Sequence, residues 1–87
     1  MTLKDLPKIK AYTLSTCPHC NAMKKFMEEN DVSIEYIDVD LLYGREREEA
    51  IAEVNKICPY CGYPVSVIGD VVIEGHNPSR IMEVLGI

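Results

Sequence analysis

Ile9-Lys10-Ala11-Tyr12-Thr13-Leu14-Ser15-Thr16-Cys17-Pro18-His19-Cys20 is the stretch that decides how this chain folds. Its first half, Ile9 to Leu14, is rich in β-branched and aromatic side chains and predicts a strand. Ser15 and Thr16 follow with turn and N-cap chemistry. Pro18 suits the first turn of a helix, where a missing N–H breaks no hydrogen bond. Beyond it, Ala22, Met23, Phe26 and Met27 recur at helical spacing, and Lys24, Lys25, Glu28 and Glu29 fall outside that stripe. The spacing predicts an amphipathic helix from Pro18 to about Asn30, ended by Asn30-Asp31. Strand, cysteine pair and helix thus arrive in the order that sets two thiols at a helix N-terminus.

That placement has a chemical consequence. Free backbone N–H groups and the positive end of the helix dipole favour an anion beside them. Cys17, at the helix start, is therefore the expected thiolate and nucleophile. Cys20, one turn deeper, is expected to keep its proton and to resolve a mixed disulfide formed on Cys17. Pro18 stiffens the intervening turn. His19 reads either as a further stabiliser of the thiolate or as an exposed spacer. Half a metal site and a buried structural pair are the other readings of these two cysteines.

Downstream, Val32 to Val39 predicts a second strand and Asp40 to Gly44 a loop. Arg45 to Ile57 predicts a helix with Ala50, Ile51, Val54 and Ile57 as its apolar stripe. Its charge run, Arg45 to Glu49, reads as a solvated face. Val65 to Ile68 and Val71 to Glu74 flank the turn residues Gly69-Asp70, a hairpin pattern. In the loop Gly75-His76-Asn77-Pro78, Asn77 is a good N-cap and Pro78 a good first position for a helix over Ser79 to Leu85. The order β-α-β-α-β-β-α predicts an α/β fold. A parallel first unit and an antiparallel hairpin make a four-stranded mixed sheet with three flanking helices on its two faces.

The chain has 87 residues, 47% of them hydrophobic, enough for one domain with one core. Residues 1–7 read as a disordered lead. Fourteen acidic residues against 9 basic ones leave a net charge of −5, which argues against a general nucleic-acid or anionic-membrane binder. No apolar run of membrane-spanning length and no signal-peptide core is found, so a cytoplasmic location is expected. In that reducing compartment, cysteine pairs mean catalysis or metal more often than static staples.

YTLSTCPHCNAMKKFMEENDVSIEYIDVD, from Tyr12, resembles the glutaredoxins, small members of the thioredoxin superfamily. GYPVSVIGDVVIEGHNPSRIMEVLGI, from Gly62, is similar to their second half: a proline before a strand, a hairpin, a glycine loop and a last helix. The resemblance implies a thioredoxin fold across one domain, residues 1–87. It implies a thiol–disulfide oxidoreductase that acts on disulfide-containing client proteins and needs no cofactor. Cys17 is then the nucleophile and Cys20 the resolving thiol. Pro64 is expected to be cis and to face the CPHC pair, with the Tyr63 backbone open to an extended substrate. Thr16, Pro18, His19, Tyr63, Pro64, Gly75, His76 and Asn77 are the implied substrate contacts. Either an upstream reductase, thioredoxin-reductase-like or other, or a small thiol would restore the dithiol.

The sequence also departs from that pattern. Leu14-Ser15-Thr16 stands where glutathione-using members carry a lysine. Gly75-His76-Asn77-Pro78-Ser79-Arg80 stands where they carry a Gly-Gly-x-Asp-type loop. Asn77 to Arg80 looks more like the loop of NrdH-type redoxins, which take electrons from thioredoxin reductase. Glutathione is thereby put in question as the reductant. Tyr63 replaces a smaller residue before the proline and is expected to narrow the groove.

A second quartet, Cys58-Pro59-Tyr60-Cys61, follows a helix instead of preceding one. The partial negative charge of a helix C-terminus disfavours a thiolate there. Three readings stand: an auxiliary dithiol that relays electrons or switches activity, a metal site, or a local pair without redox traffic. In the metal reading Cys17, Cys20, Cys58 and Cys61 gather around zinc or an iron–sulfur cluster; Cys58 to Gly62 resembles the CPxCG knuckle of rubredoxin-like sites. His76 reads as a surface residue, Tyr12 and Tyr36 as strand packing, and Met23, Phe26 and Met27 as core.

Overall fold

The computed structural model describes residues 9–86, and the expected lead at residues 1–7 lies outside them. Strand β1 (Ile9–Thr13) alternates: Ile9 and Ala11 enter one core cluster, and Tyr12 enters the other. Both faces of β1 are therefore covered, and it belongs in the middle of a sheet. Helix α1 (Pro18–Glu29) follows, then β2 (Glu35–Asp38), a short 3-10 turn over Val39–Leu41, and α2 (Gly44–Ile57). The hairpin β3 (Val65–Ile68) and β4 (Val71–Glu74) leads into α3 (Pro78–Leu85). The sheet order is β2-β1-β3-β4, with β1 parallel to β2 and the other pairs antiparallel. This is the thioredoxin fold.

One face of the sheet meets α1 and α3. There Ile9, Ala11, Ile68 and Ile73 pack with Met23, Met27 and Ile81. The other meets α2, where Tyr12, Val39 and Val65 pack with Ala50 and Val54. In α1 the fully buried row is Cys20, Met23 and Met27, so the first cysteine quartet is rooted in the core. Gly69, at φ 60°, makes the tight hairpin turn, and Gly86, at φ 75°, closes α3. Asn77 caps α3, its side-chain oxygen accepting the Arg80 N–H at 3.2 Å.

Three local expectations need correction. The second strand does not begin at Val32. Asp31 takes a left-handed φ of 56° and the Val32 N–H donates to Met27 O at 2.9 Å, so that stretch closes α1 instead of joining a ladder. At the far end, Val39 opens the 3-10 turn and lies beyond the strand. The apolar stripes are also narrower than periodicity suggests. Ala22 is exposed and Ile51 is 39% exposed, because Ala22 points to the outer side of α1 and Ile51 sits at the edge of the inward row of α2.

Candidate active site

Cys17 is itself the N-cap of α1, a role assigned from sequence to the Ser15-Thr16 turn. Its backbone is extended (φ −86°, ψ 120°), and its Sγ accepts the Cys20 N–H at 3.3 Å. A sulfur thus fills the place usually taken by a hydroxyl or carboxylate oxygen. The preceding turn is anchored too: the Cys17 N–H donates to Leu14 O at 3.2 Å, and the Ser15 N–H donates to Asp40 at 2.8 Å. The Ser15 hydroxyl donates to the same carboxylate.

The two thiols differ sharply in environment. Cys17 is partly exposed and Cys20 is fully buried. The Cys17 pKa is lowered, chiefly because the Cys20 thiol donates to it and, against some burial, because the N–H groups of Cys20 and His19 point at its sulfur. Burial first, then the proton shared with Cys17, pushes Cys20 up to about 11. The Leu14 N–H donates to Cys20 Sγ at 3.4 Å and partly offsets this. The first sulfur thus ionises more readily than an ordinary cysteine, and the second holds its proton more tightly.

Of the other residues singled out from sequence, Tyr63 lies near Cys20 and His76 near His19. Thr16, Pro18 and His19 are exposed on the quartet's outer side. Pro64 is buried and its bond to Tyr63 is cis. Tyr63 is half-buried, and its hydroxyl pKa is raised by burial and by the neighbouring Cys20. The β1–β3 pairing begins at Val65, so the Tyr63 backbone lies outside the ladder. Gly75 is bonded back to this segment, its N–H donating to Pro64 O at 2.7 Å. Asn77 is exposed and serves α3 as its cap.

His76 is more involved than a surface reading allows. Its ring packs edge-on against Phe26 of α1, centroids 5.9 Å apart, and its buried Nδ1 finds no hydrogen-bond partner among the described residues. Burial, and then the nearby His19, lowers its pKa. A polar network beneath the quartet also escaped sequence reasoning. Buried Thr13 donates to Asp38, and Lys24 on α1 pairs with the same carboxylate at 2.9 Å. Only the alternation Asp38-Val39-Asp40 hints at it, and nothing in that pattern names the partners.

The second quartet closes on itself. Cys58 and Cys61 form a disulfide with Cα atoms 5.5 Å apart, and Cys17 and Cys20 are free thiols. Cys58 is the C-cap of α2, its N–H donating to Val54 O at 2.8 Å. Pro59 and Tyr60 lie exposed at the tip. Among the described residues no group of three or more His, Cys, Asp or Glu side chains is placed to hold a metal ion. None of the described helices is long and apolar enough to cross a membrane.

A family model described as glutaredoxin matches residues 9–73. Methanoredoxin from Methanosarcina acetivorans superposes with a TM-score of 0.88 at 35% identity, covering 93% of this chain and 86% of that one. NrdH-redoxin from Escherichia coli superposes with a TM-score of 0.70 at 30% identity, covering 88% of this chain and 93% of that one. A glutaredoxin-like 8.6 kDa protein of the rubredoxin operon of Clostridium pasteurianum is 29% identical over 73 residues, 84% of this chain and 91% of that protein.

Proposed function

Since this chain belongs to the glutaredoxin family, we propose that it reduces protein disulfides through Cys17 and Cys20. The observation that carries this reading is the split between the two thiols: a partly exposed, anion-favouring Cys17 above a buried Cys20 whose pKa is pushed up to about 11. The Cys17 thiolate attacks one sulfur of a client disulfide. The client S–S bond breaks, its other sulfur leaves as a thiolate and takes up a proton, and a Cys17–client mixed disulfide remains. Cys20 then gives up its proton and attacks the Cys17 sulfur, which releases the second client thiol and leaves a Cys17–Cys20 disulfide. Two electrons pass to the client, and a reductant must return them.

The first step prepares the second. Two of the causes that hold the Cys20 proton are the hydrogen bond to Cys17 and the Cys17 negative charge. Both vanish when Cys17 is spent in the mixed disulfide, so Cys20 ionises more readily once it is needed. Burial still opposes ionisation, and Lys24 on the next turn of α1 favours it. Thr16, Pro18 and His19 on one side, and Tyr63, Pro64, Gly75, His76 and Asn77 on the other, form the groove for an extended client segment. The Tyr63 backbone would pair with that segment as a short added strand.

A thioredoxin-reductase-like donor is favoured over glutathione as the source of electrons. Leu14-Ser15-Thr16 and the Asn77-Pro78-Ser79-Arg80 loop support this choice. So does the likeness to the E. coli NrdH-redoxin, which is described as having a thioredoxin-like activity profile. A disulfide-reduction assay with each donor tests the choice directly.

The chemistry is tested by trapping. The Cys20→Ser variant, mixed with a disulfide peptide, should accumulate a Cys17-linked adduct visible by mass spectrometry. The attack rate should follow Cys17 ionisation, with its midpoint below the ordinary cysteine value of about 8.5. An adduct on Cys58 or Cys61 instead, or a midpoint at or above the free-cysteine value, would overturn the assignment.

A further inference from the structure

The disulfide at Cys58–Cys61 is not used by the mechanism above, yet it closes the segment that carries Tyr63 and Pro64. Cys61 is two residues from Tyr63. Cys58, Cys61, Tyr63 and Leu14 all pack on one core cluster, and Leu14 is the residue whose N–H holds Cys20 Sγ. Beyond the disulfide the same segment is fastened twice to the end of β4. The Gly62 N–H donates to Glu74 Oε2 at 3.0 Å, and Pro64 O accepts the Gly75 N–H at 2.7 Å. At the α2 end the segment is held by the Cys58–Cys61 bond together with the Cys61 N–H, which donates to Cys58 O at 3.2 Å.

The two pairs also differ in what they stabilise. A thiolate at a helix N-terminus is favoured, which stabilises the dithiol form and raises the reduction potential of the pair. At a helix C-terminus the dipole disfavours the thiolate and takes that stabilisation away. Cys17–Cys20 is therefore the higher-potential couple and Cys58–Cys61 the lower. A protein poised between two such couples holds the first as a dithiol and the second as a disulfide.

We propose that Cys58–Cys61 is a second, lower-potential thiol–disulfide couple whose closed form braces the Tyr63–Pro64 side of the substrate groove. It opens only under strong reduction, as a switch on the Cys17 site. The inference rests on reading Cys17–Cys20 as the reacting pair. Opening needs a dithiol reductant, for which dithiothreitol is the probe. One of its thiolates attacks a sulfur of the Cys58–Cys61 bond, and its second thiol closes the reductant's own disulfide. Cys58 and Cys61 are left as thiols, carrying the two electrons and two protons. Both cysteines are only partly buried, beside the exposed Pro59-Tyr60 tip.

The native protein is titrated with dithiothreitol at graded poise, quenched by alkylation and mapped by peptide mass spectrometry. Two transitions are expected. Cys58–Cys61 should open last, by at least about tenfold in equilibrium constant, or about 30 mV for a two-electron couple. A single shared transition, or Cys58–Cys61 opening first, overturns the proposal.

The second measurement is single-turnover reduction of a disulfide peptide by native protein and by Cys58→Ser/Cys61→Ser. The open variant should need roughly three- to tenfold more peptide for half-saturation, with its maximal rate and the Cys17 titration unchanged. Glu74→Ala, which keeps the disulfide and cuts the Gly62 fastening, should shift half-saturation the same way by less. Equal half-saturation in active proteins overturns the switch alone. A native protein that reduces no disulfide overturns the reading beneath it, and the switch falls with that reading.

Discussion

Cys17-Pro18-His19-Cys20 opens α1, and Cys58-Pro59-Tyr60-Cys61 closes α2. The two quartets share a frame and a proline, and their surroundings share little. In the first, backbone N–H groups converge on a partly exposed sulfur, and a second sulfur lies fully buried beneath it. In the second, one cysteine terminates a helix, both cysteines are half-buried, and they are bonded to each other. The lesson is that the C-P-x-C pattern alone does not set reactivity. The direction of the adjoining helix and the depth of the second sulfur do, because they decide which protonation state the backbone favours.

The strongest way to break this contrast is to remove one nucleophile from each quartet. Cys17→Ser should abolish disulfide reduction, a loss of about a thousandfold or more, since the proposed mixed disulfide forms on Cys17. Cys58→Ser should keep activity within about tenfold of the native protein. An assay with saturating reductase reads both, and equal losses would erase the distinction.

The anchoring of the two helices sharpens the contrast next. Met23 is fully buried under the first quartet, and Ile57 is only half-buried beside the second. Met23→Ala should cost about 2–5 kcal/mol of stability, and Ile57→Ala clearly less. Urea unfolding of the two variants measures the difference.

Acid should act on the first region before the second. The Thr13 hydroxyl first, and Lys24 beside it, hold the Asp38 pKa below the usual carboxylate range. A carboxylate lowered in this way stabilises the fold above its unfolded value of about 3.9, and that contribution disappears as pH falls through the lower folded value. With the Lys24 and Asp38 side chains 28% and 23% exposed, the ion pair is worth only about 1 kcal/mol or less. Asp38→Asn should therefore flatten the loss of stability below about pH 4, as seen by circular dichroism.

The smallest expected effect belongs to His76. Its folded pKa is lowered by burial, so the native state prefers the neutral ring. Stability from this source is complete above the unfolded value of about 6.5 and drops as pH falls below it. His76→Phe should shallow that slope between about pH 7 and 5 and leave the Cys17 titration in place.

Much of this was legible in the chain itself. Strand-quartet-helix order, the hairpin at Gly69-Asp70 and the Asn77-Pro78 helix start are local chemistry, and local chemistry is written in neighbouring residues. Met23 and Met27 announced the core by their spacing. What stayed hidden joins residues far apart in sequence: the Thr13–Asp38–Lys24 network, the hold of Glu74 on Gly62, and the burial of His76 against Phe26. Strand ends failed at Val32 and Val39 because a helix closure and a 3-10 turn took backbone groups that propensity had assigned to the sheet.

Composition and spacing alone determined the α/β order of the chain and the thiol pair at the head of a helix. An anion beside unpaired amides is a local fact, so twelve residues suffice to foresee it. Only the folded arrangement decided that Cys20 is sealed, that Cys58 and Cys61 bond to each other, and that no metal-type cluster forms among the described residues. Burial and proximity are sums over distant segments, and those sums exist only once the sheet has brought the segments together.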